Sequence, residues 1–210
     1  MKLKLEKWPI SHENVLAWAL QGSVGEYADA LMQRLEGRSR DLSYLESFYP
    51  PSIEFIPKIA SHCKKRGIKF GCTPFYIEAV DYLKKYVDFF KIASYELLWS
   101  DLIKKCCKTN KKLIISTGMA NMKEVKNAVS KIEDFGCKDL SILHCVSSYP
   151  VSDDEVNLGA IKSMSEVFQW PIGWSDHSRN INVVVSAVLK WDAKIVEMHL
   201  DLDGDGEEYG

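Results

Sequence analysis

Residues 112–146, KLIISTGMANMKEVKNAVSKIEDFGCKDLSILHCV, contain the pattern that decides the fold. An apolar run from Lys112 to Gly118 precedes a stretch whose apolar residues recur at i, i+3 and i+4, and a second apolar run extends from Leu140 to Val146. Short apolar runs are typical of buried strands, and the spacing between them is typical of an amphipathic helix. The segment therefore predicts a strand, a helix and a second strand parallel to the first.

The same pattern repeats along residues 52–210, with helical stretches at 77–86, 157–168 and 181–191. Six apolar runs alternating with helices predict an α/β fold, either a β/α-barrel or an open doubly wound sheet. The predicted strands are Ile68–Phe75, Phe89–Ser94, Lys112–Gly118, Leu140–Val146, Pro171–His177 and Ala193–Leu200.

The N-terminal part of the chain has a different pattern. Residues 1–51 contain no comparable Val/Ile-rich run, and stretches such as EYADALMQRLEGRSRDLSYLESF suggest helices. We therefore divide the chain into a helical segment, residues 1–51, and a barrel domain, residues 52–210. A closed barrel of the TIM type has about eight strands, so we expect an incomplete barrel of about six βα units in a chain truncated at both ends.

Composition and charge exclude several classes of partner. The 210 residues are 46% hydrophobic and carry a formal net charge of -2 with mixed signs, so neither nucleic acid nor an anionic membrane is favoured. The apolar stretch at 181–189 is far shorter than the ~20 residues of a membrane span, and no signal peptide is recognised. We expect a cytoplasmic protein with reduced cysteines, in which Cys106 and Cys107 are either a redox or metal pair or two thiols of one helix.

Polar residues end several of the predicted strands, and the C-terminal ends of parallel strands lie on one side of a sheet. In KIASYE, residues 91–96, period two places Ser94 and Glu96 opposite Lys91. A lysine near a hydroxyl suits a phosphate or carboxylate, and a solvated lysine beside a helix-capping serine is the alternative. The small residues of STGM, residues 116–119, would let an anion approach backbone N–H groups near a helix start.

Six segments occur in a characteristic order: TPF at 73–75, KIASYE at 91–96, ISTGMA at 115–120, HCVSSYPV at 144–151 with DEVNL at 154–158, GWSDHS at 173–178 and IVEMHL at 195–200. In these segments the chain resembles the sialic acid (N-acetylneuraminate) synthase family, which includes legionaminate and pseudaminate synthases. The resemblance covers about residues 52–203. It implies a (β/α)8 TIM-type barrel that condenses phosphoenolpyruvate with an N-acylated amino sugar, such as N-acetylmannosamine, to a nonulosonic acid and phosphate.

The resemblance also implies a role for individual residues. Phosphoenolpyruvate would be bound by Thr73, Lys91, Ser94, Ser116, Ser147 and Ser175, and the sugar by Glu96 and Tyr149. His177 and His199 would hold a divalent metal, Mn²⁺ with Mg²⁺ as the alternative. A metal that polarises the aldehyde oxygen of the open-chain sugar lowers the barrier to attack by the enol carbon, and neutral imidazoles suit such a metal.

The chain departs from the family pattern in its terminal parts. The family's catalytic glutamate and a second phosphoenolpyruvate-binding lysine are not recognised in residues 1–51, so we name no catalytic residue. The aspartate beyond the E-x-H strand and the C-terminal antifreeze-like domain, whose arginine reaches a partner's active site, are not recognised either. We therefore expect this chain to bind phosphoenolpyruvate with negligible turnover, and we expect a homodimer only of the full-length family.

Other interpretations stay open on the sequence. A barrel aldolase would use Lys91 at a strand tip as its Schiff-base lysine, and a non-catalytic binding or oligomerisation module is a further alternative. The run Asp201-Leu-Asp203-Gly-Asp205-Gly206 matches the first half of an EF-hand loop, without a preceding helix. Two more histidines, His62 on a helix and His144 inside a strand, are expected to be structural.

Overall fold

The computed structural model describes residues 55–199. The N-terminal segment 1–51 and the EF-hand-like run at 201–206 lie outside the described residues. The described elements, in chain order, are α1 (Phe55–Arg66), β1 (Gly71–Cys72), α2 (Ile77–Leu83), β2 (Phe89–Ile92), a 3₁₀ helix (Ser94–Glu96), α3 (Ser100–Cys107), β3 (Lys112–Ser116), α4 (Met122–Asp134), β4 (Leu140–His144), α5 (Gly159–Ser165), β5 (Ile172–Asp176), α6 (Ile181–Leu189) and β6 (Val196–Met198).

The strands form one parallel sheet in the order β1-β2-β3-β4-β5-β6, so each strand pairs with its neighbour in the chain. The prediction of six parallel strands is confirmed. Each observed strand is shorter than the predicted one at its C-terminal end, and β1, β5 and β6 also begin later than predicted. β5, for example, ends at Asp176 rather than His177.

Within residues 55–199, helices cover only one face of the sheet. Strand residues such as Phe90 and Ile115 pack into one core with apolar residues from all six described α-helices, for example Ile132 of α4. A doubly wound sheet would carry helices on both faces, whereas a barrel carries them only outside. The sheet is therefore a curled part of a β/α-barrel, and within residues 55–199 its first and last strands do not pair with each other.

The inner face of the sheet has two levels. Nearer the start of the strands lies a small apolar cluster made of Phe89, Ile114, Leu143 and Ile195. Side chains two residues further along a strand point to the same face, so the next inner positions are Lys91, Ser116, Cys145 and Glu197. These four residues are buried. The inner face thus changes from apolar to polar towards the C-terminal ends of the strands.

The prediction that Ser94 and Glu96 lie opposite Lys91 holds only while the strand continues, and the strand ends before both residues. β2 ends at Ile92, and Ser94–Glu96 form a 3₁₀ helix in which strand alternation no longer applies. The turn brings the Ser94 hydroxyl to 3.2 Å from Sγ of the inner-face residue Cys145. Ser94 therefore lies on the same side of the sheet as Lys91.

The turn between β3 and α4 is fixed by a capping box. The Asn121 side chain accepts hydrogen bonds from the backbone N–H groups of Lys123 and Glu124, and the Glu124 carboxylate accepts one from the N–H of Asn121 at 2.8 Å. This arrangement satisfies N–H groups that the first helical turn leaves without partners. It starts α4 at Met122, three residues after Met119, whose positive φ of 68° ends the STGM segment.

All six cysteines are free thiols. Cys106 and Cys107 lie in α3 and are both buried in the outer core, so the interpretation as thiols of one helix is the better one. A hydrogen bond with Cys137, together with burial, raises the pKa of the Cys107 thiol. None of the described helices has the length and apolar character needed to cross a membrane.

Candidate functional site

A buried ion pair spans the inner face of the sheet. Nζ of Lys91 on β2 lies 3.0 Å from Oε1 and 2.9 Å from Oε2 of Glu197 on β6. The hydroxyl of Ser175 on β5 donates a hydrogen bond of 2.9 Å to Oε1 of the same carboxylate. Lys91 is 0% exposed, so the interpretation of Lys91 as a solvated surface lysine is wrong.

Glu197 is a site residue that the sequence interpretation missed. Its segment, IVEMHL, is one of the six that carry the family resemblance, but the resemblance implied a role only for His199 in this segment. The signal that could have found Glu197 is its place in the strand, since Glu197 and His199 share one face by period two. A buried ammonium also needs a carboxylate partner, and inner-face positions near the strand ends are where such a partner can lie.

A second cluster surrounds Gly118 at the tip of β3. A Cβ atom added at Gly118 would lie 2.8 Å from Sγ of Cys145, 2.9 Å from Oγ of Ser94 and in still closer contact with Oγ of Ser147. The glycine therefore lets two of the predicted phosphoenolpyruvate ligands, Ser94 and Ser147, approach the β3 tip. Cys145 is a further residue at the site for which the sequence predicted no role, whereas Gly118 was predicted only as one of the small residues of STGM that let an anion approach.

Several buried polar atoms have no hydrogen-bond partner among the described residues. They include Oγ1 of Thr73, Oγ of Ser116, Oγ of Ser147 and Oε2 of Glu96, each of which was predicted to contact a substrate. An unsatisfied buried polar group costs about 1–3 kcal/mol, so native proteins rarely keep several of them together without a purpose. Groups of this kind at a strand-end site are suited to receiving a polar ligand.

Ser141 is a matched exception. Its hydroxyl is also buried and without a partner among the described residues, but no role was predicted for it. Ser141 lies at the second position of β4, near the opposite end of the strand from Cys145. Ser141 therefore serves as a control position, because it is a buried serine without a described partner that lies away from the candidate site.

The predicted metal ligands lie together at the tips of β5 and β6. The rings of His177 and His199 have centroids 5.1 Å apart in an edge-to-face arrangement, and the Tyr149 ring packs 4.1 Å from that of His177. Nδ1 of His177 lies 2.7 Å from the carbonyl oxygen of Val146. A carbonyl only accepts, so Nδ1 carries the proton and the lone pair of the neutral ring is on Nε2.

This pair of histidines fits a weakly held divalent metal. A backbone carbonyl that fixes the tautomer of a ligating histidine is a usual feature of metal sites. No group of three or more His, Cys, Asp or Glu side chains suited to a metal occurs in the described part of the chain. Water and substrate would therefore supply most of the coordination shell.

Two hydrogen bonds to Asp176 shape the loop that carries His177. Oδ1 of Asp176 accepts hydrogen bonds from Nε1 of Trp174 at 2.9 Å and from Oγ of Ser178 at 2.8 Å, which fixes the turn around His177. Burial raises the pKa of the Asp176 carboxyl. Burial also raises the pKa of Glu96, whereas the nearby charge of Lys91 acts in the opposite direction.

His144 has the structural place that was expected of it. Its ring lies in β4, with Nε2 3.0 Å from the carbonyl oxygen of Val156, and it packs against Trp174. Burial lowers the pKa of His144, so the neutral ring is favoured. The hydrogen bond holds the end of the loop that carries Ser147 and Tyr149. His62 lies in α1, also as expected.

The structure thus brings most of the predicted residues to the C-terminal ends of the strands. Hydrogen bonds join Lys91 and Ser175 to Glu197, and Ser94 lies within hydrogen-bond distance of Cys145. The Tyr149 ring packs against both histidines. Thr73 and Ser116 are buried at the same ends of β1 and β3, without a hydrogen bond from their hydroxyls to another described residue. Whether these residues bind the predicted ligands stays a prediction.

Comparison with known proteins identifies relatives over most of the chain. The profile of the NeuB family matches residues 31–209. An N,N'-diacetyllegionaminic acid synthase of Campylobacter jejuni is 41% identical over 145 residues, which cover 68% of this chain and 43% of that protein. An N-acetylneuraminate-9-phosphate synthase of Drosophila melanogaster is 33% identical over 148 residues, covering 70% of this chain and 40% of that protein.

A solved structure shows the same architecture. The N-acetylneuraminic acid (sialic acid) synthetase of Leptospira borgpetersenii, crystallised in complex with citrate, matches with a TM-score of 0.70 and 32% identity. The match covers 73% of this chain and 54% of the crystallised one. The chain therefore spans about half the length of the relatives it matches.

Proposed function

This chain belongs to the NeuB family, and we propose on that basis that it binds phosphoenolpyruvate and an N-acylated amino sugar for condensation to a nonulosonic acid. The reaction joins the enol carbon of phosphoenolpyruvate to the sugar aldehyde. Water then adds at the central carbon, and phosphate leaves by cleavage of the C–O bond. The class of enzyme is a carbon–carbon bond-forming transferase.

The observation that supports this proposal best is the buried ammonium of Lys91, which lies at the same ends of the strands as hydroxyls that have no partner in the described chain. A charged donor and several neutral donors bind a phosphate strongly in a site of low dielectric. Thr73, Ser116 and Ser147 carry three of these hydroxyls. The chain can therefore bind an anion without a basic overall charge.

The remaining residues are proposed to bind the sugar and to direct its aldehyde. Glu96 would accept hydrogen bonds from sugar hydroxyls, and the Tyr149 ring would contact the sugar beside the histidines. His177 and His199 would hold Mn²⁺, which when bound would supply Lewis-acid polarisation of the aldehyde oxygen. The carbonyl of Val146 orients His177 so that its Nε2 lone pair is available for this purpose.

The aldolase alternative is less well supported by the geometry. A Schiff-base lysine needs Nζ free to attack a substrate carbonyl, whereas Nζ of Lys91 contacts both carboxylate oxygens of Glu197, at 3.0 and 2.9 Å. Borohydride treatment in the presence of a carbonyl substrate would label Lys91 if the alternative were right. We expect no label on Lys91.

The direct test of the proposed reaction measures phosphate release from phosphoenolpyruvate in the presence of Mn²⁺ and N-acetylmannosamine or a related N-acylated sugar. We propose that the 210-residue chain binds phosphoenolpyruvate but releases phosphate at a negligible rate. Loss of one preorganised electrostatic contact costs on the order of 10²–10³ in rate, and the family's catalytic glutamate and second phosphoenolpyruvate-binding lysine are not recognised in residues 1–51. Robust sugar-dependent release would show that this part of the proposal is wrong, while failure to bind phosphoenolpyruvate would contradict the function itself.

A further inference from the structure

Glu197 holds the donors of the candidate site in the ligand-free chain. Its carboxylate contacts Lys91 through both oxygens, at 3.0 and 2.9 Å, and also accepts the hydroxyl proton of Ser175. Ser175 and Glu197 are direct partners in the register of β5 and β6, whereas Lys91 reaches the carboxylate from β2. The carboxylate thus links three strands at the level where the inner face becomes polar.

The hydroxyl of Ser175 cannot serve two acceptors at once. A serine hydroxyl has one O–H donor, and here that donor is directed to Oε1 of Glu197 at 2.9 Å. The other contact of this oxygen is Nε2 of His177, at 3.5 Å. A phosphate or carboxylate oxygen needs a donor. Ser175 can therefore donate its hydroxyl proton to such an anion only after its hydrogen bond to Glu197 is broken.

The charge of Glu197 also opposes an incoming anion. The side chains of Lys91 and Glu197 are 1% and 5% exposed, so solvent screens this pair very little. The positive charge that an anion would meet at Lys91 is already compensated by the carboxylate. A buried ammonium without such a partner would destabilise the fold, which gives the chain a reason to keep Glu197.

We propose that Glu197 is an internal competitor of the substrate anion. Its carboxylate accepts hydrogen bonds from Lys91 and Ser175 until the substrate anion replaces it as their acceptor. This inference rests on the proposed function in naming phosphoenolpyruvate as the substrate. The competition itself applies to any anion at Lys91. Glu197 therefore sets the affinity of the site and at the same time stabilises the ligand-free fold.

The test replaces the carboxylate by its neutral isostere, Glu197→Gln, and measures the Kd for inorganic phosphate and for phosphoenolpyruvate by calorimetry. Loss of the competing charge should tighten binding of both anions by about tenfold, because a nearby buried like charge is removed. The urea midpoint of unfolding should fall, because Lys91 loses its counter-ion. The matched control is Glu78→Gln on the exposed side of α2, which makes the same change in net charge. It should leave both Kd values unchanged and should lower the urea midpoint only slightly, since Glu78 is an exposed residue in the first turn of α2.

The opposite signs of the two effects distinguish competition from a purely structural ion pair, which would weaken binding and stability together. Unchanged or weaker anion binding by folded Glu197→Gln would overturn the inference. If this variant does not fold, Glu197→Asp provides the test. The shorter aspartate side chain cannot contact both Lys91 and Ser175, so this variant should bind phosphate about threefold more tightly than the parent. An unchanged Kd for phosphate in folded Glu197→Asp would equally overturn the inference.

The two anions separate this inference from the proposed function. A parent chain that binds inorganic phosphate but not phosphoenolpyruvate would contradict the proposed function, and the phosphate titrations of the variants would still decide the role of Glu197. A parent chain that binds phosphoenolpyruvate as tightly as Glu197→Gln would contradict only the role of Glu197. If neither anion binds to the parent or to the variant, both proposals are wrong.

Discussion

The substitution Gly118→Ala places one methyl group in the most crowded part of the candidate site. The new Cβ would lie 2.8 Å from Sγ of Cys145, 2.9 Å from Oγ of Ser94 and closer still to Oγ of Ser147. Real Cβ atoms need more room than this, so at least one of these side chains must move. Overpacking of this kind costs about 1–3 kcal/mol of the free energy of unfolding.

The same methyl group should weaken anion binding more strongly than it weakens the fold. Ser94 and Ser147 are both proposed ligands of phosphoenolpyruvate, and a hydrogen bond to a charged group contributes about 1.5–3 kcal/mol. Displacing one of them therefore raises the Kd by about tenfold or more. The measurements are calorimetric titration with phosphoenolpyruvate and urea denaturation followed by circular dichroism.

Gly159→Ala is the matched control for this prediction. Its added Cβ meets only the Trp191 ring, at 3.6 and 3.8 Å, which is ordinary contact, and Gly159 begins α5. This control should bind phosphoenolpyruvate like the parent and should be as stable or slightly more so. Normal affinity in a folded Gly118→Ala chain would refute the account of how the β3 tip forms the site.

Three further predictions concern other parts of the structure. Because burial lowers the pKa of His144, the native state favours the neutral ring, and the free energy of unfolding should fall as the pH drops below about 6.5. His144→Gln keeps a donor for the Val156 carbonyl without titrating, so its urea midpoint should lose this part of the acid dependence; an identical pH profile would contradict the assignment. Asn121→Ala removes the capping box of α4 and should cost about 1 kcal/mol in the same assay, with no change in Kd for phosphoenolpyruvate. The parent should bind Mn²⁺ weakly, and the His177→Ala/His199→Ala double variant should abolish the calorimetric response; an equal response in both would show that these histidines are not the metal ligands.

The strand pattern could be predicted from the sequence because it depends on local spacing. Apolar runs such as Leu140–Val146 gave the correct number, order and direction of the strands. Their ends could not be predicted as well, since a polar tip such as the one after Ile92 can either continue the ladder or turn into a 3₁₀ helix. The choice between a barrel and a doubly wound sheet also depended on which face the helices cover, and helical periodicity does not contain that information.

Some of the site residues could be predicted from local sequence, and others could not. Residues in recognisable segments, such as Ser116 and His177, could be predicted from their motifs and their positions at strand ends. The pairing of Lys91 with Glu197 joins residues 106 positions apart in the chain and exists only because the sheet curls. The role of Gly118 likewise follows from the approach of side chains from other strand tips, which no local pattern describes.

The central claim is that the strand-end hydroxyls without a partner in residues 55–199 receive phosphoenolpyruvate, and a calorimetric comparison of three variants tests it most directly. Thr73→Val and Ser116→Ala each remove one buried hydroxyl at the proposed site, whereas Ser141→Ala removes an equally buried one near the start of β4. The account predicts that the first two raise the Kd for phosphoenolpyruvate by about tenfold, while Ser141→Ala leaves the Kd unchanged. Equal affinity of all three variants and the parent, or no binding by the folded parent, would contradict the claim.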